Sequence, residues 1–176
     1  MEAKIEYKFK VSLLGEAGVG KTSLILRFVK NFFKDDLKST IGTNFMIKPV
    51  TIDKTRLQLL IFDIGAQKIF TSMRAKYFQG SGAAIAVFDV TSIESLHALP
   101  EWIMSVKDVC GNIPIVVVGN KADLVNQRTV SRNDAEALAS RFTCLYEETS
   151  AKTGERVEAL FEKIARACLE SMNSCT

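Results

Sequence analysis

Apolar residues in this chain fall into short unbroken runs, and the runs alternate with stretches where apolar side chains recur every three or four positions. KVSLLG at 10–15, AAIAVFDV at 83–90, IPIVVVG at 113–119 and TCLY at 143–146 are such runs. They are rich in branched side chains and lack polar alternation, as expected for strands covered on both faces. FMIKPVTI at 45–52 and LQLLIF at 57–62 flank a polar turn at Asp53 and Lys54, which predicts a hairpin.

The intervening stretches have the helical period. In TSLILRFVKNF, residues 22–32, Leu24, Phe28 and Phe32 lie four apart. In the segment 95–110, Leu96, Leu99, Ile103, Val106 and Cys110 share a face, with Pro100 either kinking the helix or starting its main body. NDAEALASRF aligns Ala135, Leu138 and Phe142, and the segment 155–172 aligns Val157, Leu160, Phe161, Ile164 and Cys168. Strands alternating with helices predict an α/β fold, a mostly parallel six-stranded sheet with helices on both faces. Ligands in such sheets sit beyond the carboxyl ends of the strands. No repeat, linker or low-complexity stretch divides residues 1–176, so a single domain is expected.

Composition narrows the function classes. The chain is 47% hydrophobic and 24% charged with a net charge of +3, which gives no argument for nucleic acid or for a membrane surface. No apolar run reaches the length of a membrane span, and MEAKIEYKFK is too polar for a signal peptide. Cys110, Cys144, Cys168 and Cys175 form no metal-ligand or disulfide spacing, which suits reduced thiols in the cytoplasm.

The strongest chemical signal is GEAGVGKT, Gly15 to Thr22, between a predicted strand and a predicted helix. Gly15, Gly18 and Gly20 permit a tight loop whose N–H groups, including those at Ala17 and Val19, turn inward on phosphate oxygens. The helix beginning near Lys21 adds its positive end. Lys21 can reach the β- and γ-phosphates, while the Thr22 hydroxyl, followed by Ser23, can ligate Mg²⁺.

Two further segments address the base. In NKAD, Asn120 to Asp123, the Asp123 carboxylate can accept two hydrogen bonds from guanine, a donor pair that adenine lacks. Asn120 can meet guanine N7 and tie adjacent loops, and the Lys121 stem can lie along the base. In ETSAK, Glu148 to Lys152, the Ala151 N–H can donate to guanine O6 and Ser150 can brace Asp123. A helix cap at TSAKTGE is compatible with that base contact.

With GEAGVGKT, NKAD and ETSAK in this order, the chain resembles the Ras superfamily of small GTPases over nearly its whole length. STIGTNF at 39–45 is similar to the Rab-branch STIGVDF, RLQLLIFD at 56–63 to KLQIWD, and YFQGS at 77–81 to YYRGA. The resemblance implies the P-loop NTPase fold of small G proteins, with GTP or GDP and Mg²⁺ as ligands. It assigns Thr40 to Mg²⁺ and γ-phosphate sensing, Asp63 to Mg²⁺ through water, Gln67 to the attacking water and Phe33 to the edge of guanine. Lys21, Thr40 and Gln67 would then carry the catalysis, by positioning and charge neutralisation. Phe33, beside Phe32, could equally be a core side chain.

The segment DIGAQ, Asp63 to Gln67, departs from the family order, in which Ala-Gly precedes the Gln. Here it is Gly65-Ala66. The N–H of residue 66 would meet the γ-phosphate; alanine there keeps the donor but restricts reorientation, and Gly65 would supply a displaced hinge. The double change Gly65→Ala with Ala66→Gly is therefore expected to enlarge the difference between GTP and GDP states. Ile64, Lys68, Ile69, Leu37 and Ala17 are further departures. They leave nucleotide binding intact and bear on hydrolysis and partner choice.

The expected function is a GTP-hydrolysing switch, Rab-like and acting in membrane traffic. The alternative is a GTP- or GDP-dependent binding module with negligible turnover. Expected partners are an exchange factor, a GTPase-activating protein and effectors, with the chain itself monomeric. Cys175 in NSCT forms no prenylation box, so peripheral membrane attachment is expected only through a lipidated tail outside this chain.

Overall fold

The computed structural model describes residues 6–66 and 72–174. Six strands, β1 (Tyr7–Leu14), β2 (Thr43–Ile52), β3 (Thr55–Ile64), β4 (Ala83–Asp89), β5 (Ile115–Asn120) and β6 (Leu145–Glu148), form one sheet in the order β2-β3-β1-β4-β5-β6. Only β2 runs antiparallel to its neighbour, because it shares a hairpin with β3 that closes at the Ile52–Thr55 pair. Asp53, at φ 55°, reverses the chain there. The helices are α1 (Lys21–Lys30), α2 (Arg74–Phe78), α3 (Ile93–His97), α4 (Leu99–Cys110), α5 (Arg132–Arg141) and α6 (Val157–Ser174).

All seven residues of β4 and all six of β5 are buried, so alternate side chains feed two separate cores. Ile85 and Val87 join Val116 and Val118 in the core that α1 and α6 close. There the Phe28 and Phe161 rings stack 3.9 Å apart. Ala84, Ala86 and Phe88 join Val117 in the other core, under Trp102 and Ile103 of α4 and Ala135 and Ala139 of α5. Each large side chain so buried contributes on the order of 1.5–3 kcal/mol.

The predicted elements occur with shifted ends. α1 stops at Lys30 because Asn31 turns left-handed (φ 49°), which leaves Phe32 47% exposed instead of on the apolar stripe. Pro100 stands in the first turn of α4 and starts that helix without kinking one. β6 begins at Leu145, two residues beyond the expected start. Thr143 is left-handed (φ 57°), and the N–H groups of Thr143 and Cys144 close the end of α5 on the Ser140 and Ala139 carbonyls. The short α2, which buries Phe78, has no periodic signal in the sequence.

β6 is pinned by an inward carboxylate. Glu147 takes the Arg156 guanidinium (Nε at 2.6 Å) and the Lys163 ammonium (2.8 Å). Burial would raise its carboxyl, but those donors outweigh burial and hold it below the ordinary carboxylate range. The strand leads directly into Thr149 and Ser150, and so delivers one wall of the site.

Candidate functional site

The carboxyl ends of β1, β3, β5 and β6 open on a cavity of about 370 Å³. Its floor is the loop 15–20. Gly15, Gly18 and Gly20 have φ values of 137°, 78° and 99°. At Gly15 a Cβ would collide with the Val87 carbonyl, and at Gly20 with the Asn120 side chain, so these two positions also demand glycine for space. Gly20 caps α1 without a side-chain acceptor, whereas Ser92 and Ser131 cap α3 and α5. The first N–H groups of α1 thus lack a capping side chain where the cavity opens.

Lys21 is the buried cation of this floor. Its Nζ donates to the Gly15 and Glu16 carbonyls, both at 2.8 Å. Burial pushes its ammonium down to about 8, against the pull of Asp63 and Glu16. An anionic phosphate beside it would favour the charged form further. Glu16 is itself held, since its Oε1 accepts from Trp102 Nε1 at 2.9 Å. The Arg74 guanidinium covers the Trp102 ring at 3.7 Å, so α2, α4 and the phosphate loop form one packed unit.

Three oxygen-bearing side chains converge beside Lys21. The Thr22 hydroxyl lies 2.6 Å from the Thr40 hydroxyl and donates to Asp63 Oδ2, which also accepts from Thr40 at 3.2 Å. Asp63 Oδ1 is buried without a hydrogen-bond partner among the described residues. One orphaned carboxylate oxygen with two hydroxyls is a hard-oxygen donor set that fits Mg²⁺. No cluster of three or more His, Cys, Asp or Glu that could hold a metal occurs among the described residues. Thr22, Thr40 and Asp63 would hold the ion together with substrate oxygens and water.

The opposite wall is knit by Asn120. Its Nδ2 donates to the Val19 carbonyl at 3.0 Å, and its Oδ1 accepts from Thr149 Oγ1 and the Ala151 N–H, both at 3.2 Å. One fully buried amide thus joins the phosphate loop to both base segments. Ser150 donates to Asp123 Oδ1 at 2.7 Å, the brace expected from sequence. The Ala151 N–H, expected to face guanine O6, is shared with Asn120 by a long bond. Lys121 sits at φ 65° with its ammonium 2.7 Å from Asp89 Oδ2, which stretches its stem along the cavity wall.

Ala17, Gly18, Gly20, Lys21, Thr22, Ser23, Phe33, Thr40, Ala66, Asn120, Lys121, Asp123, Ala151 and Lys152 all line the cavity. Gly15, Val19, Asp63 and Ser150 stand behind them, in the contacts given above. Phe33 faces the cavity while resting against the core, so both readings of it hold together. Gln67, Lys68 and Ile69 lie outside the described residues, as does Cys175. His97 ends α3 and lies away from the cavity lining.

Gly65 differs from expectation. Its backbone is not left-handed, so it is not the displaced hinge in this conformation. Space explains it: its N–H donates to the Gly42 carbonyl at 2.8 Å, and a Cβ would lie 2.7 Å from the carbonyls of both Thr40 and Gly42. Ile64 is fully buried, and Ala66 rests against the same core.

Two supports escaped the sequence reading. Asp89 ends β4 and holds Lys121. Arg27 on α1 grips the segment 151–152, with Nε on the Ala151 carbonyl at 2.8 Å and Nη2 on the Lys152 carbonyl at 2.6 Å. A charged residue at a strand's carboxyl end was a readable signal for Asp89. Nothing in the local pattern distinguishes Arg27 from a solvated helix residue.

A glycine-lined phosphate cradle, a hard-oxygen cluster and a carboxylate-bearing base wall on one sheet edge define a P-loop guanine-nucleotide-binding protein. The family model for the Ras family matches residues 10–170. The Ras-related protein Rab-30 of Homo sapiens, of Bos taurus and of Mus musculus is in each case 40% identical over 161 residues, covering 91% of this chain and 79% of the relative. The chain belongs to the Ras family, in its Rab branch. It is a GTP-binding molecular switch and GTPase of the Rab-like, membrane-traffic kind, working with GTP, GDP and Mg²⁺ and with regulators and effectors. No helix among the described residues is long and apolar enough to cross a membrane.

Proposed function

We propose that residues 1–176 act as one G domain, with the cleft described above as its working site. The observation that carries the assignment of roles is the meeting of Thr22, Thr40 and Asp63 beside Lys21, within reach of a base wall tied to the same loop by Asn120. The loop 15–20 and the start of α1 cradle the phosphates, and Lys21 neutralises their charge. Thr22, Thr40 and Asp63 would hold Mg²⁺, which when bound offsets the charge on the β- and γ-phosphates. Asp123, braced by Ser150, accepts the guanine N1–H and N2 amine; Ala151 donates to O6. Phe33 covers the edge of the base, and Lys121 lines its face. Thr40 and the Ala66 N–H read the γ-phosphate, and Gln67 positions water for attack.

Thr40 sits in the segment before β2, and its hydroxyl meets the Thr22 hydroxyl and the Asp63 carboxylate. GTP favours this closed arrangement, and hydrolysis removes the contact that holds it. An exchange factor, an activating protein and effectors act on the segments that move. The chain is monomeric and cytoplasmic, with any membrane association confined to the periphery.

Thr22→Asn tests the metal assignment. In the parent, removing Mg²⁺ with a chelator should speed release of a fluorescent GDP. In the variant, release should already be fast and should respond little to the chelator. Parental affinity with an undiminished Mg²⁺ response would contradict the role of Thr22.

A further inference from the structure

Arg27 lies on the face of α1 that looks toward the segment 149–154, two turns beyond the phosphate-binding end of the helix. Its three polar ends are all engaged. Nε and Nη2 hold the successive carbonyls of Ala151 and Lys152 at 2.8 and 2.6 Å, and Nη1 donates to Asn31 Oδ1 at 3.0 Å. Asn31 caps α1 in the left-handed conformation, which brings its side chain back to the guanidinium. The fork is planar and rigid, so two adjacent carbonyls held by it fix the local direction of the main chain.

The peptide on the other side of Ala151 is held as well, because the Ser150 carbonyl accepts from the Gly154 N–H at 2.8 Å. The Ala151 N–H belongs to that same Ser150–Ala151 peptide, and the Arg27 clamp on the following peptide limits how far it can turn. That N–H has only a 3.2 Å bond to Asn120 Oδ1. It is a donor held in place but weakly used, at a buried position on the wall of the base pocket.

We propose that Arg27 is a positioning residue for base recognition: by clamping the Ala151 and Lys152 carbonyls it aims the Ala151 N–H at the six-position oxygen of guanine. The inference rests on the guanine assignment of the cleft. It does not concern Asp123, whose brace comes from Ser150 and not from Arg27.

The experiment separates the two arms of recognition. Affinities of the parent, Arg27→Ala and Arg27→Lys are measured by competition for GDP, for inosine diphosphate, which lacks the N2 amine, and for 6-thioguanosine diphosphate, which keeps the N1–H and the N2 amine but replaces O6 with a weakly accepting sulfur. The parent should penalise both analogues. Arg27→Ala should bind GDP about tenfold more weakly, and its penalty for loss of O6 should shrink severalfold while its penalty for loss of the N2 amine stays as in the parent. Arg27→Lys, which keeps the charge but lacks the fork, should fall between. An unchanged O6 penalty in both variants would overturn the proposal and leave Arg27 a structural residue. If Arg27→Ala does not fold, the Arg27→Lys comparison alone decides in the same way. A parent that penalises neither analogue would instead overturn the guanine assignment itself.

Discussion

Asp123→Asn should weaken GTP binding by one to two orders of magnitude and shift preference toward xanthosine nucleotides. Asp123 receives the Ser150 hydroxyl at 2.7 Å on Oδ1, so the carboxylate is oriented before any base arrives. Its remaining acceptor capacity matches the two donors on the Watson–Crick edge of guanine. An amide can still accept once, but its NH₂ group would oppose the guanine N2 amine, donor against donor. Leaving such a pair unmatched in a buried pocket costs about 1–3 kcal/mol, or roughly 5- to 150-fold in affinity. Xanthine carries an oxygen at that position and would accept from the amide. The check is competition among GTP, xanthosine triphosphate and ATP against a fluorescent nucleotide. Unchanged guanine selectivity in the variant would remove Asp123 from the base pocket.

Gly65→Ala should selectively weaken the GTP-bound form. The added Cβ would lie 2.7 Å from the carbonyls of Thr40 and Gly42, which are main-chain atoms and cannot rotate away. The bond from the Gly65 N–H to the Gly42 carbonyl would stretch or break. Overpacking of this kind costs about 1–3 kcal/mol. The cost falls on the arrangement that brings Thr40 to Thr22 and Asp63, so GTP-analogue affinity should drop about tenfold or more while GDP affinity holds. Hydrogen exchange at residues 40–42 should lose its nucleotide dependence.

This reverses the expectation for restoring the family order. The Gly65→Ala half of the double change collides, whatever Ala66→Gly gains. Ala66→Gly alone is the clean test of stiffness at residue 66. Parental GTP-analogue affinity in Gly65→Ala would show that the close contact between β3 and the segment 40–42 does not matter to the switch.

The central strands were legible because β4 and β5 are buried on both faces, and only unbroken apolar runs satisfy that condition. The phosphate loop was legible because main-chain geometry dictates its glycines, and Gly15 and Gly20 have no room for a Cβ. The ends of elements were not, because they depend on single left-handed residues such as Asn31 and Thr143, for which no strong glycine signal marks the turn. The meaning of Gly65 was hidden for a different reason. It depends on a contact with Gly42, more than twenty residues away in the chain, which no local pattern reports. Arg27 and Asp89 share that obscurity, since each acts on a loop brought alongside only by the folded sheet.

The function proposed above has this one cleft bind and hydrolyse GTP, with Gln67 placing the water. It is met most directly by single-turnover hydrolysis, in which the protein is loaded with GTP, started with Mg²⁺ and followed by phosphate release, with Gln67→Leu and an ATP-challenged sample in parallel. The expected result is slow release approaching one phosphate per protein from GTP, markedly slower release from Gln67→Leu with GTP still bound, and none from ATP. Equal rates in the parent and Gln67→Leu, or release from ATP as fast as from GTP, would contradict the account.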